Sequence, residues 1–234
     1  MDSSNLVTII FLVAAVFVFV QLRNVLGTRT GHEQSPDQFR RPEADDAPVN
    51  ESDSENDNVI TLPGMGDNPG TKYKMIDRYA KPGSGINNAL RSVKDADPSF
   101  DAKEFLAGAS MAYEMIVMAF ADGDRRTLEN LLSAEVYEGF DQALTDREAR
   151  GESVRTNFVG IEDISYEGAE MRDSESHITV NVVSQLISST VGSDGELIDG
   201  DAEAVVEVKD VWTFARDTLS NNPNWKLVAT ESED

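Results

Sequence analysis

Apolar and polar positions divide the chain into four stretches. Residues 6–22 read LVTIIFLVAAVFVFVQL, uncharged and apolar on every face, with only Thr8 and Gln21 polar. That length reaches the lower end of the roughly 17–25 residues that span a bilayer as a helix. A core helix of a globular domain would show a polar stripe instead. The preceding MDSSN has no basic side chain and no small-residue cleavage site follows, so the pattern predicts a retained anchor and not a cleaved signal.

The pattern resumes in residues 71–94. Tyr73, Met75, Ile76 and Tyr79 sit among charged positions, and a breaker at residues 82–85 precedes a short helix in which Ile86, Leu90 and Val93 share one face. Next, residues 97–101 (DPSFD) read as a helix start, with Phe105, Ala109, Ala112, Ile116, Ala119 and Phe120 on one face of the helix that follows. Residues 121–124 (ADGD) break it. Asp124 then caps a short helix, and Ser133 caps another that runs to about Arg150, with Val136, Phe140 and Leu144 as its buried stripe.

Beyond Gly151 the period changes from helical to alternating. Residues 157–166, 177–191, 202–215 and 225–230 read as four strands, with a hairpin turn at Asp194-Gly195. Trp212 and Phe214 share a face of the third strand, and Trp225 and Leu227 lie beside them across an NNPN turn. Helices followed by antiparallel strands predict an α+β domain with helices packed on one face of a curved four-stranded sheet.

Charge sharpens this division. The 234-residue chain carries a formal net charge of −23, which argues against nucleic acid as a partner. Residues 43–58 hold seven acids and no base among Pro, Ser and Asn, the composition of an extended disordered tether. The sign then reverses: Lys72, Lys74, Arg78, Lys81, Arg91 and Lys94 face a single acid, Asp77. Cations beside an apolar stripe predict attraction to an anionic phospholipid surface; packing of the short helix on the acidic domain is the competing reading. From Asp101 onward, 29 acidic residues stand against ten basic ones. Arg23, Arg29, Arg40 and Arg41 follow the apolar run, so the positive-inside rule places the C-terminal domain on the cytoplasmic side or its mitochondrial equivalent, the matrix. The expected organisation is therefore an anchor and juxtamembrane segment (1–30), an acidic linker (31–70), a basic amphipathic segment (71–97) and a globular domain (98–234).

Candidate chemistry is sparse. No Cys is present, which removes disulfides and thiolate chemistry, and there are two His. His177 with Asp163 and Tyr166 would make a catalytic group only if all three met in one cavity. Asp194, Glu196, Asp199 and Asp201 cluster at the hairpin without calcium-loop spacing, so no metal and no cofactor is expected. Met111, Met115 and Met118 recur at helical spacing, either as core filler or as an adaptable groove lining.

Three stretches carry a family resemblance: FLAGASMAYEMIVMAFADGDRRTLENLLSAEVYEGF (105–140), DVWTFARD (210–217) and NPNWKLVAT (222–230). In that order and spacing they resemble the Tim44-like domain family, and RNVLGTRTG (23–31) resembles its bacterial TimA branch. The resemblance implies an NTF2-like, cystatin-like fold with a large apolar pocket between helices and sheet, for which Met111, Met115, Met118, Trp212, Phe214 and Trp225 are the lining candidates. It implies a non-catalytic scaffold of the bacterial inner membrane, with a periplasmic N-terminus, that contacts lipids and chaperones or membrane-protein clients. The basic segment occupies the place of the family's membrane-contacting helices. An enzymatic or small-molecule-binding use of the pocket is the alternative.

Overall fold

A computed structural model describes residues 72–232. The expected membrane anchor, its orientation and the acidic tether lie outside the described residues. Five helices precede five strands among the described residues: α1 (Ile76–Tyr79), α2 (Gly85–Ala96), α3 (Ala102–Asp122), α4 (Arg125–Leu131), α5 (Ala134–Ala149), β1 (Ser153–Arg172), β2 (Glu175–Val191), β3 (Leu197–Gly200), β4 (Val206–Asp217) and β5 (Lys226–Ser232).

Local chemistry sets the helix boundaries. Ser84, Asp101, Asp124 and Ser133 each accept a first-turn backbone N–H through a side-chain oxygen, satisfying donors a helix start leaves unpaired. Gly123 ends α3 with φ of 73°, a left-handed conformation that other residues adopt at a cost.

The sheet is antiparallel in the order β1-β2-β4-β5, with β3 paired to the end of β2 beyond β4. A four-stranded sheet was the sequence expectation; the acidic hairpin adds the fifth short strand by folding back on residues 189–191. β1 runs for 20 residues, well beyond the expected 157–166, and three bulges interrupt its register with β2. Each bulge bends the strand and restores alternation afterwards, so Phe158, Ile161, Ile164 and Tyr166 all face the helices opposite inward residues of β2. β5 is not left as an open edge at its start: Ser133 N–H donates to the Leu227 carbonyl (2.8 Å) at the junction of α4 and α5.

The core lies between α3 and the concave face of the sheet. Phe105, Ala109, Tyr113, Ile116 and Ala119 of α3 are buried over Ile178, Val180, Trp212, Phe214 and Leu227. Phe105 meets Trp225 edge-on at 4.8 Å between ring centroids, and Tyr113 meets Trp212 at 4.5 Å. By length and composition α3 is apolar enough to cross a membrane, but its buried stripe makes it the domain's central helix.

One polar network crosses this core. The Tyr113 hydroxyl donates to Asp210 Oδ2 (2.6 Å) and lies 2.9 Å from Ser184 Oγ, which is fully buried. Burial, reinforced by the Asp210 carboxylate, holds the phenol well above the usual tyrosine range, so it remains a donor. Replacing Tyr113 by Phe keeps the ring but takes a hydrogen-bond partner from the buried Ser184 hydroxyl. We expect it to destabilise the domain by about 1–3 kcal/mol, read as a lower midpoint in urea denaturation, whereas Ser84→Ala should cost only about 1 kcal/mol.

Candidate functional site

The basic segment folds because half of its cations find partners within it or in the turn that follows. Asn87, fully buried, donates from Nδ2 to both Asp77 Oδ1 and the Ala80 carbonyl at 2.9 Å, fastening α1 to α2. Arg91 Nη2 reaches the same Asp77 oxygen at 2.7 Å, and its guanidinium lies 4.7 Å from the Tyr73 ring centre. Lys72 pairs with Asp95, which also accepts from the Tyr73 hydroxyl at 2.7 Å. Lys94 Nζ donates to the carbonyls of Pro98 (2.7 Å) and Phe100 (2.6 Å), closing the turn into α3.

Lys74, Arg78 and Lys81 differ. All three are exposed, and none makes a side-chain hydrogen bond or ion pair among the described residues. Lys74 and Arg78, with Lys72 and Lys94, line an open cleft of about 590 Å³ completed by Met75, Pro98 and Asp101. Four cations and one carboxylate around a partly apolar floor suit an anionic group carried on an apolar body.

The segment is held firmly on the domain. Leu90 and Val93 are fully buried, and Asp97, the C-cap of α2, forms an ion pair with Arg216 of β4. Arg216 also lies 4.9 Å over the Trp225 ring, and both partners of the pair have side chains about one-tenth exposed. This clamp was not apparent from the sequence, where residues 97 and 216 lie far apart. α2 therefore packs on the domain, while Lys74, Arg78 and Lys81 remain outward.

The candidates for an apolar pocket separate in the structure. Trp212 and Phe214 are 5% and 2% exposed, and half-buried Trp225 packs on Phe100 and Phe105, so these rings fill the space between helix and sheet. Met111 and Met115 require correction as lining of such a pocket: they are 65% and 48% exposed, on a side of α3 turned away from its buried stripe. Met118 is half-buried. The reason is the helical phase, since Phe105, Ala109, Tyr113 and Ile116 already occupy the face toward the sheet.

His177, Asp163 and Tyr166 do not converge. Tyr166 faces the core and donates to the Ala102 carbonyl (2.6 Å). Asp163 stands opposite Val183 and His177 opposite Glu170, on the other side of the sheet and some 20 Å apart along the strand. His177 Nε2 lies 3.2 Å from its neighbour Glu175. Among the described residues, no three His, Asp or Glu side chains are grouped to hold a metal ion, the hairpin acids included.

A helical layer over a bulged antiparallel sheet, closed by the Trp212–Phe214 strand and the Trp225 turn, spans the region where the Tim44-like domain family matches, residues 86–232. The chain belongs to this family. Curated relatives include the mitochondrial import inner membrane translocase subunit TIM44 of Mus musculus, 23% identical over 61% of this chain, and TIM44-1 of Arabidopsis thaliana, 24% identical over 71%. The chain spans about a third of their length, 32% and 35% respectively. Similar solved structures include the intermembrane space region of the chloroplast protein ARC6, with a TM-score of 0.40 and 10% identity over 58% of this chain and 98% of that one. A conserved protein from Planctomyces limnophilus has a TM-score of 0.32 and 14% identity over 54% and 96%.

The ion pairs that hold α1 of this Tim44-like domain have a defined acid limit. Hydrogen bonds from Arg91 and then Asn87 lower the pKa of Asp77, and those from Lys72 and then Tyr73 lower that of Asp95. A depressed carboxylate stabilises the folded state above its unfolded pKa, and that contribution is lost as pH falls through the folded value. Below pH about 4 we expect residues 72–80 to lose hydrogen-exchange protection before α3 and β2 do. In Asp77→Asn/Asp95→Asn the same amides should be poorly protected at neutral pH already, with no acid step.

Proposed function

We propose that this Tim44-like protein is a non-catalytic scaffold that sits on the cytoplasmic face of a bacterial inner membrane, as a TimA-type member of its family, and contacts anionic phospholipid through the basic segment. The observation that carries the reading is the division of labour among its cations. Lys72, Arg91 and Lys94 build the segment, and Lys74, Arg78 and Lys81 remain unpaired among the described residues beside a cationic cleft. Cations that stabilise nothing internal retain their full attraction for a negative surface, about 1 kcal/mol each near headgroups. Residues 6–22 supply a membrane anchor in this reading, and the acidic linker keeps the domain within reach of the surface.

Kinship with subunits of a mitochondrial import inner membrane translocase supports a role in protein translocation or membrane-protein assembly, with chaperones or membrane-protein clients as partners. The enzymatic alternative finds no support in the positions of His177, Asp163 and Tyr166, and the tryptophan cluster is occupied by the aromatic side chains of α3 and its approach.

Flotation of residues 71–234 with vesicles rich in anionic lipid tests the reading. Lys74→Gln/Arg78→Gln/Lys81→Gln should lower the partition coefficient on the order of 100-fold. Asp95→Asn, which releases Lys72, should raise it several-fold. If the triple variant floats like the parent, membrane contact through this segment is wrong.

A further inference from the structure

The end of the sheet farthest from the basic cleft carries exposed apolar residues that nothing among the described residues covers. Leu197, Ile198, Val205 and Val206 are 59%, 52%, 53% and 49% exposed, all along the edge of β2 that β3 and the start of β4 share. Behind them, half-buried Leu186 and Phe158 extend the apolar surface across β2 and β1, in register with Val206. Scattered exposed apolar residues are ordinary; Leu197, opposite Val191, lies on the other face from Val206, so the surface beside β4 is that of Val206 with Leu186 and Phe158.

Backbone groups are free in the same place. Among the described residues β5 pairs with β4 only from Asp210 onward, and β3 pairs only with β2, so Val206–Lys209 offers an open strand edge beside that surface. Charge then selects what such an edge accepts. Residues 193–208 contain Asp194, Glu196, Asp199, Asp201, Glu203 and Glu207 and no Lys or Arg. The next cation, Lys209, already lies 3.4 Å from Glu207. An anionic membrane is repelled, and a second copy would bring the same six acids against these.

We propose that the Val206–Lys209 edge, with exposed Val205 and Val206, binds an extended cationic segment of another protein that alternates Lys or Arg with apolar residues. Main-chain hydrogen bonds to the edge would give the pairing, apolar side chains would cover Val206 and its neighbours, and the basic side chains would meet the acidic rim. This site goes beyond the membrane reading and does not depend on it. Seven to ten residues of β2 separate Ser176, opposite Arg216 of the clamp, from Val183 and Leu186, opposite Lys209 and Val206, which places the edge about 25–35 Å from the clamp.

The test uses the full chain in nanodiscs of zwitterionic phosphatidylcholine, with empty discs as the blank. The probe is a fluorescent short peptide alternating Lys with Val and Thr, and its Glu counterpart is the control. We expect the Lys peptide to bind in a salt-sensitive way, because added salt shortens the range of the acidic rim, and to protect the amides of residues 205–209 from hydrogen exchange. Val205→Ser/Val206→Ser and, independently, Asp199→Asn/Asp201→Asn/Glu203→Gln/Glu207→Gln should each weaken binding by about tenfold or more, while Lys74→Gln leaves it unchanged. The charge variant decides the matter if the serine variant proves unstable. Equal binding of the Glu peptide, protection elsewhere such as the outer face of α3, absence of binding, or association of the chain with itself through residues 205–209 would each overturn the proposal.

Discussion

The contact on which the rest of this domain depends is the seating of Phe105 and Tyr113 on Trp212, Phe214 and Trp225. It determines which side of α3 faces the sheet, and everything else on that helix follows from the phase. Because five large rings occupy the space between the layers, the interior is a packed core and the surfaces available for partners are peripheral. The hydroxyl of Tyr113 adds direction to an otherwise apolar contact: it must find Ser184 and Asp210, so a sliding of the helix along the sheet would strand buried oxygens.

Much of this was legible in the sequence because it was local. The caps at Asp124 and Ser133, the break at Gly123 and the alternation of β2 all depend on neighbours within a few residues. The bulges of β1 were not legible, since an inserted residue such as Val159 looks like the end of an alternating run and becomes a bulge only when β2 supplies the register on both sides. That is why the strand extends beyond its predicted limits. The methionines misled for a related reason: spacing places Met111 and Met115 on a common side of a helix but does not say which side the sheet will take.

For the basic segment, composition announced six cations alike. Their inequality is a tertiary property, created by Asp77, Asp95 and the carbonyls of Pro98 and Phe100, which claim Arg91, Lys72 and Lys94. The family resemblance located the segment and the domain, yet the distinction between structural and outward cations came only from the packing. The molecule that results is polarised, with cations at one end of its long strands and acids with exposed apolar residues at the other.

The clamp between Asp97 and Arg216 also has a bearing on the order in which the protein assembles. Its two halves are separated by more than a hundred residues, and the ring beneath the guanidinium belongs to Trp225, close to the end of the chain. During synthesis the cationic arm therefore emerges well before its clamp is complete. It can first lean on β1, through Tyr79 against Tyr166, and is fastened at Asp97 only after β4 and the Trp225 turn have left the ribosome.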